Sequence, residues 1–165
     1  MFAIVGSGSD LVARLREYDG VVVAIGRNGV RLRCQADLEA AGARMATLAH
    51  PRATVSRHAR LGPGSVVLAG AVVNVGCELG RAVIVNTGAT VDHDCILADG
   101  VHVAPGAHVA GGVQVGEGSW VGVGATVREY VTISNRVFIG AGAVVVKSIP
   151  NDLTVVGSSA RPLIR

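Results

Sequence analysis

The sequence predicts an all-β solenoid: a left-handed parallel β-helix of hexapeptide repeats, with a small α/β piece at its N-terminus. Three observations predict it. Stepping by six from Val55 to Val145 meets sixteen positions, every one Val, Leu or Ile. Two places before each step, from Ala59 to Ala143, stand fifteen residues that are all Ala, Ser, Cys or Val. The third is composition: half the residues are apolar while aromatics make only 3%, and 23 glycines are available for sharp corners. A period of six held for ninety residues fits neither the 3.6 of a helix nor the 2 of an alternating sheet. It fits a triangular prism in which each hexad makes one face and three hexads make a coil, with coils stacked at the strand spacing of ~4.8 Å. The aliphatic residue fills the prism and the small residue fits beside it at the corner.

Each segment follows from that frame. Residues 1–50 read as a β-α-β-α-β piece. Phe2-Ala-Ile-Val5 is a short apolar run, and Gly6-Ser-Gly-Ser-Asp10 opens a helical pattern to Tyr18 with Asp10 as its N-cap. That glycine run is half of a dinucleotide fingerprint, with Leu11 where the third glycine belongs. Val21–Ile25 reads as a strand, Arg31–Ala43 as a helix and Met45–Ala49 as a short strand before the His50-Pro51 hinge. This piece is expected to cover one end of the prism, whose terminal coil leaves backbone groups unpaired. Residues 51–150 are the β-helix, and Pro150-Asn-Asp152 ends the period. Residues 151–165 are expected to fold back along the outside of the prism.

The bulk numbers exclude several classes. A net charge of +3 without a Lys/Arg run argues against nucleic acid. No apolar run reaches membrane-spanning length, and the start lacks a charged leader and cleavage site, so a cytoplasmic location is expected. Cys77 and Cys95 lie 18 apart on the small inward position and are expected to stack as core thiols.

Residues 18 apart stack, so columns are legible. Val66, Ile84, His102, Trp120 and Phe138 form one outward column, an apolar ladder that something must cover: a second prism in a closed homotrimer, or the C-terminal tail. A second column is Val75, His93, Gly111, Glu129, flanked by Gly76, Asp94, Gly112, Tyr130. It sets His93-Asp94 beneath Gly111-Gly112 at a corner. An imidazole accepts a proton near pH 7 and bare backbone N–H groups hold an oxyanion, a layout suited to acyl transfer. The same residues also fit a polar corner whose glycines only turn the chain. Tyr18 and Tyr130 have no assignment from the sequence.

The run Asn86-Thr-Gly-Ala-Thr-Val-Asp-His93-Asp-Cys, with Val101-His102-Val-Ala-Pro-Gly106 and Ala110-Gly111-Gly112, resembles the acyltransferases of sialic acids and of nucleotide-linked bacillosamine and perosamine. The likeness extends from about Val21 onward, through Val23-Ala-Ile-Gly26-Arg-Asn28, Leu48-Ala-His-Pro51 and Gly140-Ala-Gly-Ala143 to Pro150. The resemblance implies a cytoplasmic, trimeric enzyme of surface-glycan biosynthesis that carries acetyl from acetyl-CoA to a sugar amine, with no metal. It implies His93 as general base and Asp94 as the group raising its basicity. His102 would lie against the thioester, and the Gly111 N–H would hold its carbonyl oxygen. Val123 and Ala141 would line the pantetheine groove, with Lys147 and Arg161 near the CoA phosphates. Asn86 would lie near the acceptor, and Gly26 would end the strand that meets the nucleotide. Such enzymes begin with a further strand and a Gly-rich loop bearing a histidine. Nothing before Val21 matches these, so either the chain is shortened or its acceptor is held differently.

Other readings stay open. O-acetylation of a sialic-acid-like sugar uses the same corner. A non-catalytic scaffold is a second class, favoured by the absent loop and opposed by the retained His93-Asp94 and Gly111-Gly112. A γ-type carbonic anhydrase needs His93, His102 and His108 to converge on zinc at ~2.0–2.1 Å, yet His102 and His108 fall on different faces.

Overall fold

The computed structural model describes residues 3–163. Met1 and Phe2 at the head of the expected first strand, and Ile164 and Arg165 of the tail, lie outside the described residues. Two-residue strands recur every six residues from Thr54–Val55 to Val144–Val145 and stack into three parallel sheets, the three faces of a solenoid of about six coils. The first face runs from Leu48–Ala49 through Val66–Val67, Ile84–Val85, His102–Val103 and Trp120–Val121 to Phe138–Ile139. The second includes Thr90–Val91, His108–Val109 and Thr126–Val127, and the third Ile96–Leu97 and Gln114–Val115.

The predicted inward residues form the core. Val67, Val73, Val85, Val91, Leu97 and Val103 are all essentially inaccessible, and so are the small residues beside them. Where that small residue is polar it is satisfied: Ser65 donates to Gly80 O at 2.8 Å and accepts from Val83 N–H, and Ser119 repeats this three coils later with Ser134 O and Val137 N–H. Cys77 and Cys95, both free, donate in the same fashion to Asp92 O and Ala110 O. Buried polar atoms are thereby partnered without breaking the ladder.

The corners explain the glycines. Every sixth residue from 64 to 142 has a left-handed backbone, fourteen in all, and ten are glycine. The other four are Ala82, Asp94, Tyr130 and Arg136. A side chain there is strained, so each exception calls for a reason.

The N-terminal piece departs from its expected form. Its described helices are α1, Gly8–Ala13, a short 3-10 turn, Leu15–Glu17, and α2, Asn28–Ala40. Ser7 is the N-cap of α1, and Asp10 closes a capping box three residues in. The expected strand at Val21–Ile25 reduces to one parallel bridge, Val21 with Met45, because among the described residues no further strand lies beside it to extend a sheet. Its longer helix does not lie across an end of the prism: α2 runs along the edge between the third and first faces. Its buried residues are Asn28, Arg31 and Gln35, all polar. They face the carbonyls that line this corner. Gln35 donates to Pro63 O, Arg31 to Ala82 O and Gly100 O, and Asn28 to Gly118 O and Ser119 O.

The aromatic ladder is accordingly covered in part by the Gly26 loop that leads into α2, rather than by the tail. The tail first joins the ladder, Thr154–Val156 pairing beside Phe138–Ile139, and only then turns back antiparallel at Arg161–Pro162. No helix among the described residues is long and apolar enough to cross a membrane.

Candidate active site

At the corner between the second and third faces, His93 stands on the turn after Val91. Asp92 Oδ1 accepts from the His93 backbone N–H at 2.8 Å and from Asn74 Nδ2 at 2.8 Å, which fixes the turn. His93 Nδ1 lies 2.9 Å from Asp94 Oδ2. A carboxylate only accepts, so Nδ1 carries the proton and Nε2 keeps its lone pair. That lone pair is presented to Gly111 on the next coil: a Cβ built on Gly111 would come within 2.5 Å of Nε2. Any larger residue at Gly111 pushes the imidazole away. The Gly111 N–H makes no hydrogen bond among the described residues, while its carbonyl accepts from Tyr130 N–H at 3.0 Å.

Asp94 holds its position at a cost. Its φ is +56°, where glycine would be relaxed. Aspartate tolerates this region better than most residues, and the strained turn is what aims its carboxylate at the imidazole. The hydrogen bond from Asp94 raises the His93 pKa above its ordinary 6.5, with the nearby Asp92 and Asp94 charges adding to it and partial desolvation opposing.

His102 forms a second cluster on the first face. Its Nδ1 donates to Gly26 O at 3.4 Å, so Nε2 accepts from Asn86 Nδ2 at 3.0 Å. Asn86 Oδ1 in turn accepts from Thr87 N–H at 2.8 Å, which fixes the amide's orientation. The Trp120 ring closes over the imidazole at 4.1 Å between centroids. With both nitrogens engaged and 4% of its surface accessible, His102 does not offer a free nitrogen to a thioester. Within the chain it is a neutral histidine that holds Asn86 and Gly26. Burial is the main reason its pKa falls to about 4, with Gly26 opposing and Arg31 adding repulsion.

That shift predicts acid sensitivity. The unfolded chain protonates His102 near 6.5 and the folded chain only near 4, so between those values unfolding takes up a proton. Stability is expected to fall as pH drops from about 6.5 to 4, by up to ~3 kcal/mol. Denaturant titrations across this range check it, with His102→Gln flattening the slope.

Arg31, which sequence reasoning missed, ties this cluster together. It is 1% exposed, with no carboxylate as partner among the described residues. Nε donates to Ala82 O, one terminal nitrogen to Ile25 O and Gly26 O, and the other to Asn28 Oδ1 and Gly100 O, all at 2.8–3.0 Å. The guanidinium therefore fastens the Gly26 loop to the prism above His102.

The remaining expected residues lie on the outside. Val123 is half exposed at the corner between first and second faces, with Ala141 exposed on the coil above it. Lys147 and Arg161 are exposed. His108 bonds Thr90 Oγ1 on the second face. His93, His102 and His108 thus stand on different sides of the prism, and among the described residues no group of three or more His, Cys, Asp or Glu is placed to hold a metal. One chain brings together His93, Asp94 and Gly111, and separately His102, Asn86 and Gly26. It does not bring the two groups together, because the first face lies opposite the His93 corner.

No family model matches the chain, and no curated protein matches it. Solved structures do. The acetyltransferase domain of PglB from Neisseria gonorrhoeae superposes with a TM-score of 0.95 at 44% identity, over 98% of this chain and 80% of that one. The same domain in complex with acetyl coenzyme A matches at 0.88 and 45%, over 92% and 76%. PerB from Caulobacter crescentus, in complex with CoA and GDP-perosamine, matches at 0.90 and 39%, over 93% and 75%. With its hexad prism, its N-terminal helical piece and identity near 40% across nearly its whole length, the chain belongs to the hexapeptide-repeat family of nucleotide-sugar acetyltransferases.

Proposed function

We propose that this chain moves acetyl from acetyl-CoA to the amine of a nucleotide-linked amino sugar, in cytoplasmic steps of surface-glycan assembly, at sites completed between copies in a homotrimer. The observation that carries the reading is His93, its Nδ1 held by Asp94 and its Nε2 set over the unused amide of Gly111. The neutral amine attacks the thioester carbon while Nε2 takes its proton. The oxygen gains the negative charge and accepts from the Gly111 N–H. As the intermediate collapses the C–S bond breaks, and the imidazolium returns the proton to the departing CoA sulfur. Asp94 stabilises the imidazolium between these steps. Cys77 and Cys95 at this corner are fully buried and donate inward to Asp92 O and Ala110 O, so neither is placed to carry the acetyl group and transfer is direct.

The trimer follows from what one chain lacks. Asn86 and Gly26 on the acceptor side, and Val123, Ala141, Lys147 and Arg161 on the CoA side, stand away from His93. In a closed threefold arrangement the His93 corner of one protomer meets the first face and adjoining corner of its neighbour. PerB in complex with CoA and GDP-perosamine supports an amine acceptor on a nucleotide.

Thiol release from acetyl-CoA, with UDP- and GDP-linked 4-amino sugars and a sialic acid as acceptors, tests the reaction. Turnover with an amino sugar is expected. Turnover confined to the sialic acid contradicts the amine reading, and no CoA binding with no turnover returns the chain to a scaffold.

A further inference from the structure

Tyr130 occupies a left-handed corner, φ +55°, where ten of fourteen equivalent residues are glycine. Asp94, on the same column, has its strain explained by His93. Tyr130 has no such explanation. Its ring lies on Gly112, and a Cβ there would collide with its Cδ1, so the bare glycine below accommodates the ring. Yet Tyr130 remains 75% exposed, and this packing does not account for a bulky side chain in so unfavourable a backbone. Its N–H bonds Gly111 O at 3.0 Å, which ties it to the residue under the imidazole.

Its height along the prism indicates what it meets. His93 and Gly111 mark the reacting carbonyl, and Tyr130 stands one coil beyond Gly111, ~4.8 Å further along the axis. Val123 belongs to the same coil as Tyr130 and Ala141 to the next, and both are exposed. Asn86 and Gly26, on the acceptor side, meet His102 on lower coils. The donor arm leaves the carbonyl toward Tyr130, and the acceptor approaches from the other direction.

We propose that Tyr130 forms the wall of the pantetheine channel opposite Val123 and Ala141 of the neighbouring protomer, and so sets affinity for acetyl-CoA rather than for the sugar. The inference rests on the trimeric acetyltransferase reading above. An aromatic ring packs against the methylenes and paired methyl groups of the arm, contacts that a glycine cannot make.

The test uses the full chain with Tyr130→Gly and Tyr130→Phe. The glycine variant relaxes the corner, so its melting temperature is expected to hold or rise by up to ~4 °C. Its Kd for CoA by calorimetry and its KM for acetyl-CoA should rise on the order of tenfold, while the acceptor KM and kcat hold. The phenylalanine variant should restore CoA affinity. Unchanged CoA affinity in Tyr130→Gly, or a rise confined to the acceptor KM, overturns the proposal while leaving the acetyltransferase reading intact. Wild-type protein that binds no CoA overturns both.

Discussion

Replacing His93 by alanine is expected to lower turnover by ~10²–10⁴-fold while leaving the solenoid folded. The side chain is exposed and its ring rests on a glycine, so little core packing depends on it. What is lost is the proton acceptor that the proposed mechanism sets over Gly111. Asp94→Asn separates the two roles of the carboxylate. In the proposed mechanism neutral His93 is the active form, and the Asp94 hydrogen bond raises its pKa, so wild-type activity should fall as pH drops through a value above 6.5. In Asp94→Asn that acid limb moves to lower pH, with a reduced plateau because the asparagine no longer fixes the productive tautomer. Rate–pH profiles of kcat/KM for the three proteins check both statements. His93→Ala with wild-type turnover removes the imidazole from the mechanism.

Replacing Arg31 by methionine is expected to be the most damaging change for stability. The side chain fills a buried slot along α2 and satisfies four backbone carbonyls and Asn28 Oδ1. Removing it leaves buried acceptors unpaired, and a loss of ~3–5 kcal/mol is expected, equivalent to roughly 10 °C in melting temperature. Burial lowers the guanidinium pKa to about 10, so the group remains charged at neutral pH. Arg31→Lys keeps a charge but lacks the planar fork, and should recover only part of the loss. Since Arg31 also fastens Ile25 and Gly26, the lysine variant should show a raised acceptor KM at temperatures where it is folded. Thermal melts with acceptor kinetics measure this, and a wild-type melting temperature in Arg31→Met contradicts the clamp.

The repeats were legible because the hexad period ties every inward residue to one geometry: reading columns at 18 residues placed His93 under Gly111 before any coordinates. The N-terminal piece was harder, for a physical reason. Sequence patterns assign the apolar side of a helix to the interior, and α2 buries Asn28, Arg31 and Gln35 instead. The corner it packs on is lined with carbonyls, so the usual polarity is inverted. The spacing 28, 31, 35 is the signal that was present, a polar stripe that otherwise reads as a solvated face. Val21–Ile25 misled similarly, since a β-rich run becomes a strand only if a neighbouring strand accepts it. His102 was found, but its part depends on the Gly26 loop and Trp120 closing over it, which no local pattern encodes. Tyr130 lacked a role because its strain exists only in the folded corner.

The account turns on the joining of His93 from one protomer with the donor groove of another. Coexpressing His93→Ala and Val123→Asp chains under different tags and isolating the doubly tagged assemblies tests this most directly. Each parent is expected to be inactive, and the mixed assemblies should recover about a third of wild-type activity, since a closed trimer holding both chains builds one of its three sites from two intact halves. Mixed assemblies as inactive as their parents would contradict a site shared between protomers.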